Sequence, residues 1–184
     1  MSELLEFNPT EFITVGAIGA PGKRVFYLQG GRHREFVTLI IEKEHAASLA
    51  AGISQIVGEI AKQLSRQTPT PNPEDRNMAL REPIKPLCRV GQMGLGYDDE
   101  HDQMVLVVQE LILADEEEPP EENAADPRVV RFFSSREDML ALSIHAEAVV
   151  ASGRPICGNC GRPIDPDGHL CPKSNGHGRK AAWA

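Results

Sequence analysis

Between Phe12 and Leu64 the hydrophobic period changes once, from about two residues to between three and four, and few folds accommodate that switch. Residues 12–18 (FITVGAI), 24–29 (RVFYLQ) and 35–42 (EFVTLIIE) read as three strands. They are separated by the turn Gly19, Ala20, Pro21, Gly22 and by GGRH at 30–33, whose paired glycines tolerate positive φ. Links this short imply antiparallel pairing. In the next stretch Leu49, Ile53, Ile56, Val57, Ile60 and Leu64 recur at three- and four-residue spacing, which predicts a helix over about 43–65 with one apolar face to bury.

The same switch occurs again downstream. Residues 88–97 (CRVGQMGLGY) and 103–113 (QMVLVVQELIL) predict a hairpin around the polar turn DDEHD at 98–102, and RVVRFF at 128–133 predicts a further strand. A helix begins near Ser135 and ends before Gly153. Ser134 with Glu137 matches a capping box there, and Asp138 adds negative charge at the positive helix end. VTLIIEKEHAASL (37–49) lies against VVRFFSSREDMLA (129–141), VFYLQ (25–29) against VLVVQ (105–109), and GAIG (16–19) against GQMG (91–94). Two βββα pseudo-repeats, about 11–65 and 88–152, therefore predict an α+β fold: a six-stranded, mainly antiparallel sheet with both helices on one face. The five-proline stretch 66–86 reads as a linker or extended surface loop, and the acidic loop 115–127 as a solvated connection. The domain division expected is an α+β body over 1–152 and a small zinc-binding tail over 153–184.

Charge divides along the same boundary. The chain carries −8. Residues 153–184 hold Arg154, Arg162, Lys173, Arg179 and Lys180 against Asp165 and Asp167, a net of +3 that leaves −11 for the first 152 residues. An acidic body repels phosphate backbones, so nucleic acid is disfavoured there, while the basic tail could meet RNA or an acidic partner. The opening residues lack a basic start followed by an apolar run, and no stretch reaches the roughly 18 apolar residues of a membrane span. A cytoplasmic protein away from membranes is expected. Three of the four cysteines crowd near one end, which suits a reduced compartment and a metal site better than a disulfide framework.

That end reads CGNCGRPIDPDGHLCPKSNGH, residues 157–177. Cys157 and Cys160 form C-x-x-C followed by Gly161, the form of a zinc knuckle, in which glycine permits the tight turn beneath the ion. Cys171 follows the turn former Asp165-Pro166-Asp167-Gly168, which folds the chain back to present a third thiolate. The fourth ligand is His169, in H-x-C spacing with Cys171, or alternatively His177, brought round by the turn at Asn175-Gly176. Thiolates with imidazole in tetrahedral number suit zinc, and three thiolates plus one histidine leave no open position, the usual structural case. His145-Ala146-Glu147 upstream of Pro155 and the knuckle suggests a zinc deaminase, but only nine residues separate Glu147 from Cys157 and the proline is displaced by one. His145 is therefore expected on the side of the second helix. Cys88 reads as a small core residue, and Asp98, Asp99, Glu100, His101 and Asp102 as a solvated turn.

The stretches FITVGAIGAPGKRVFYLQ, RFFSSREDMLAL and CGNCGRPIDPDGHLCP resemble a bacterial family of unknown function, largely actinobacterial and also described as a repeat protein. The likeness covers nearly the whole chain, and the cysteine motif is its most specific part. It implies a bacterial cytoplasmic protein of about this length and supplies no reaction or substrate, with phosphate-linked small-molecule metabolism carried only as a hypothesis. Two functions of different class follow. The first is a non-catalytic binding or adaptor protein that recognises a protein or small molecule, with zinc holding the tail. The second is an enzyme acting on a phosphorylated or sugar-linked metabolite in a cleft between the pseudo-repeats, with Arg24, Tyr27, Gln29 and Gln109 the first residues to consider.

Overall fold

A computed structural model describes residues 3–71, 76–112, 126–153, 155–162, 164 and 169–173. The acidic loop as far as 125, the Asp165-Pro166-Asp167-Gly168 turn, His177, and the basic residues Arg154, Arg179 and Lys180 lie outside them. The elements run β1 (Leu4–Phe7), β2 (Phe12–Ile18), β3 (Val25–Arg32), β4 (Glu35–Ile41), α1 (Lys43–Gln63), β5 (Pro86–Asp98), β6 (Gln103–Glu110), β7 (Val129–Ser135) and α2 (Arg136–Ala151). The fold is α+β, with one mixed seven-stranded sheet in the order β1-β7-β6-β5-β4-β3-β2 and two helices.

The hairpins expected from short links are antiparallel, β2 with β3, β3 with β4 and β5 with β6, and β6 pairs antiparallel with β7. The sheet has one strand more than expected, because β1 joins its edge parallel to β7, with Phe7 opposite Phe132. A second parallel pairing, β4 with β5, joins the halves. One face of the sheet carries the core: Ile13, Val15, Leu28, Leu39, Leu106, Val130 and Phe132 share a cluster with Leu49, Ile53 and Val57 of α1 and Met139 and Leu142 of α2. Leu64, expected on the buried stripe of the first helix, instead caps it and is exposed. Between the helices the buried Ser143 hydroxyl donates to the Ala50 carbonyl at 2.8 Å and lies 2.9 Å from the Ser54 hydroxyl, so its burial leaves nothing unsatisfied.

The sheet is strongly curled. Phe132 on β7 and Gly30 on β3 stand four strands apart, about 19 Å in a flat sheet. Yet a Cβ built on Gly30 would lie 2.7 Å from the Phe132 ring. Phe7 stacks on that ring at 5.6 Å, and the Thr10 N–H donates to the Phe133 carbonyl at 2.7 Å, tying the approach to β2 onto β7 near the opposite edge. Gly30 and Gly31, expected in the turn, are strand residues, and the left-handed turn residue is His33 with φ 54°. Gly30 is needed because an aromatic ring occupies the place of its side chain.

The proline-rich stretch is not a free connector over residues 76–85. It runs as a strap across the second face of β2–β4 and caps polar strand residues there. The Thr14 hydroxyl donates to the Met78 carbonyl at 2.5 Å. Gln29, fully buried, receives the Arg81 N–H at 2.7 Å and donates to the Arg81 carbonyl at 3.0 Å and to Thr38 at 2.9 Å. Leu80 lies over Gly16, where a Cβ would come within 2.5 Å of it. Three buried polar side chains, Thr14, Gln29 and Thr38, are thereby satisfied by the strap's main chain or by each other.

The start of α2 sits one residue later than the capping-box match. Ser135 is the N-cap and its Oγ accepts the Asp138 N–H at 3.0 Å. Ser134 is on the core side of β7, because Val130 and Phe132 fix the alternation and put it two residues further along the same face. Asp102, at φ 50°, ties the β5–β6 hairpin to this helix. Its carboxylate accepts from both ends of the Arg136 fork at 2.7 and 3.1 Å and from the Tyr97 hydroxyl at 2.6 Å, and it pairs with Arg66 at 3.1 Å. The Arg136 hydrogen bonds hold its pKa at about 2, against an ordinary 3.8. A carboxyl lowered in the folded state stabilises the fold above its unfolded value and loses that contribution as pH falls through the folded one. After screening at this partly exposed site, Asp102→Asn should cost about 1 kcal/mol at pH 7. Urea unfolding of wild type and variant should differ above pH 4 and converge as pH approaches 2, whereas a gap that does not change with pH would show that the charge is unimportant.

Candidate metal centre

The C-terminal segment turns on itself locally. The Cys157 N–H donates to the Arg162 carbonyl at 2.8 Å and the Gly161 N–H to the Cys157 carbonyl at 2.9 Å, which closes the C-x-x-C loop. Gly161 takes φ +71°, a conformation that a side chain would strain. The loop points N–H groups at sulfur: the Cys160 and Asn159 amides donate to the Cys157 thiol and bring its pKa down to about 6. Cys160 accepts the Arg162 N–H, which by itself favours thiolate, yet burial and the neighbouring Cys157 and Cys171 thiols hold it above the ordinary value.

Cys157, Cys160, His169 and Cys171 come together, with one ligand atom from each all within 4.8 Å of one another. The Cys157 and Cys171 sulfurs are 3.9 Å apart, and Cys160 Sγ is 3.2 Å from His169 Nε2. A tetrahedral zinc with Zn–S bonds of about 2.3 Å has S···S edges of about 3.8 Å, so spacing and donor set both fit a four-coordinate ion. These four residues could hold a metal. Ile156 and Leu170 beside the ligands are 61% and 96% exposed, so the cluster carries apolar side chains outward.

The other candidate residues are dispersed or committed. His145 Nε2 lies 2.9 Å from the Val15 carbonyl, joining α2 to β2 on the side of the helix, as the failed deaminase spacing implied. Arg24 donates to the Val149 carbonyl and the Ser152 hydroxyl at the end of α2 and lies over the Phe26 ring. Gln29 is held by the strap. Tyr27 and Gln29 share a face of β3, while Gln109 lies on β6, three strands away in the sheet order. Cys88 is half-buried against the core, and burial raises its thiol pKa, the reverse of an activated nucleophile. At the hairpin tip, Asp98 accepts from the Glu100 and His101 amides and pairs with the His101 ring, while Asp102 has its arginines.

Residues 5–171 match a family described as Protein of unknown function (DUF3090). The chain belongs to this DUF3090 family. The match spans the sheet from β1 onward, the strap, both helices and the last cysteine, so the DUF3090 region extends over body and cluster alike. No curated protein and no solved structure matches the chain. Among the described residues no helix is long and apolar enough to cross a membrane.

Proposed function

We propose that this DUF3090 protein is a non-catalytic binding or adaptor protein of the cytoplasm, in which an α+β body over 1–152 carries a tail over 153–184 clasped by one structural zinc. Cys157, Cys160, Cys171 and His169 are its ligands. The observation that carries this reading is the convergence of three thiols and one imidazole, whose ligand atoms all lie within 4.8 Å of one another. Such a set fills all four positions of zinc and leaves none for water or substrate, so the ion's contribution is to folding. Four cysteines outside any disulfide suit a reducing compartment. The exposed Ile156 and Leu170, held outward by the clasp, supply the apolar contacts of a partner-facing tip. The strand-strand-strand-helix order that occurs twice after β1 supports an internal duplication as the origin of the body.

Chelation of the full-length protein tests the structural role. Removing zinc should expose residues 155–173 to protease while the thermal midpoint of the body stays within about 3 °C, and restoring zinc should restore protection. Unfolding of the whole protein on chelation, or a tail equally resistant without metal, would count against a clasp confined to the tail.

A further inference from the structure

Away from the cysteines, a cavity of about 170 Å³ opens between the strap, the first residues of β2 and the first turn of α2. It is far larger than the roughly 10–15 Å³ needed for one water and smaller than the roughly 300 Å³ at which sites for drug-sized ligands begin. Phe12, Ile13, Arg76, Met78, Arg81 and Asp138 are among its walls.

Most of its charged groups are already spent on one another. Arg76 donates to Asp138 at 3.0 Å and to Glu137 at 3.1 Å. The second Asp138 oxygen accepts the Ser135 hydroxyl at 2.6 Å. Glu11, also on the wall, accepts the His33 N–H at 2.7 Å, meets the His33 ring at 2.8 Å and pairs with Arg32 at 3.6 Å. Arg81 differs. Among the described residues no carboxylate lies within 4.0 Å of it, and its side chain makes one long hydrogen bond, to the His33 carbonyl at 3.4 Å. Its guanidinium carbon sits 3.3 Å from the centre of the Phe12 ring, and Phe12 is braced edge-on by Phe36 at 5.8 Å. Its main chain is pinned on both sides by the buried Gln29 amide. The arginine is held at its root and along its flat face, and its donor fork is left over.

We propose that Arg81 anchors a small monocarboxylate in this cavity. The planar fork matches a carboxylate in two parallel hydrogen bonds, and stacking on Phe12 orients it before the ligand arrives. Met78 and Ile13 give a short apolar chain somewhere to lie. Arg81 is the wall charge that no carboxylate among the described residues meets, so a singly charged anion neutralises it, while a phosphate dianion brings a second negative charge beside Glu11 and Asp138.

Amide NMR titration of the full-length protein with butyrate, butyramide and inorganic phosphate tests the assignment. Butyrate should give saturable shifts centred on Phe12, Asn77 and Arg81 with a dissociation constant on the order of 1 mM, and butyramide and phosphate should bind at least about tenfold more weakly. Arg81→Met, which keeps the main-chain tie to Gln29 and an apolar cover for Phe12, should weaken butyrate at least about tenfold. Arg81→Lys, which keeps the charge and loses the fork, should recover only part of that loss. The assignment is overturned by the absence of saturable shifts at Arg81 up to about 50 mM butyrate, by phosphate or butyramide binding as well as butyrate, or by undiminished binding to Arg81→Met. The comparison of butyrate with butyramide on the wild-type protein decides the matter even where the variant does not fold.

Discussion

Phe132→Ala should cost about 3–5 kcal/mol, the largest loss from any single truncation in the body. The ring is fully buried and stands where the curled sheet meets itself, stacked on Phe7 and filling the space that a side chain on Gly30 would take. Its removal opens a cavity and also withdraws the contact that joins β1 and β7 to β3. Gly30→Ala attacks the same contact from the other side. Its methyl would lie 2.7 Å from the ring, an overpacking expected to cost about 1–3 kcal/mol. Combining Gly30→Ala with Phe132→Leu should cost less than the sum of the two single changes, since the smaller side chain makes room for the methyl. Equilibrium urea unfolding of the four proteins gives the coupling directly. Strict additivity would mean that the two residues do not meet.

Cys171→Ser should lower zinc affinity at least about a hundredfold and release the tail, while the urea midpoint of the body stays close to wild type. Cys171 brings in the third thiolate from beyond the Asp165-Pro166-Asp167-Gly168 segment, so without it the C-x-x-C pair is left with a single imidazole. Three ligands admit water to the fourth position and lose the closed shell of a structural site. Competition with a chromogenic chelator measures the change. An affinity within about threefold of wild type would remove Cys171 from the ligand set.

Local chemistry in this chain was readable before the structure, and long-range chemistry was not. The first helix declares itself through Leu49, Ile53, Val57 and Ile60, whose spacing can serve only one face, and the hairpins through apolar runs with short polar links. C-x-x-C followed by glycine is likewise a local device. By contrast β1 is four residues, LLEF, too short for its alternation to mark it, and it becomes a strand because β7 lies alongside at a distance of 125 residues. The strap reads as a linker because it has no hydrophobic period: its main chain is met by Gln29 and Thr14 on the sheet, and its side chains find scattered partners, Leu80 at Gly16 and Arg76 at Asp138. The signal that could have revealed it lies in the strands, where Thr14, Gln29 and Thr38 place polar groups at adjacent registers of a face that Gly16 leaves open. Buried polar side chains demand partners, and main chain from elsewhere was the available source. Ser134 and Ser135 show the same limit at one-residue scale. The S-x-x-E spacing selects Ser134, and only the register of Phe132 in β7 moves the cap to Ser135.

Metal analysis combined with zinc-edge X-ray absorption, on protein purified without chelator, tests the central claim most directly. One zinc per chain is expected, with a first shell of three sulfurs at about 2.3 Å and one nitrogen near 2.0 Å. Protein that carries no stoichiometric metal and takes up none from added zinc, or a shell made only of nitrogen and oxygen, would contradict it.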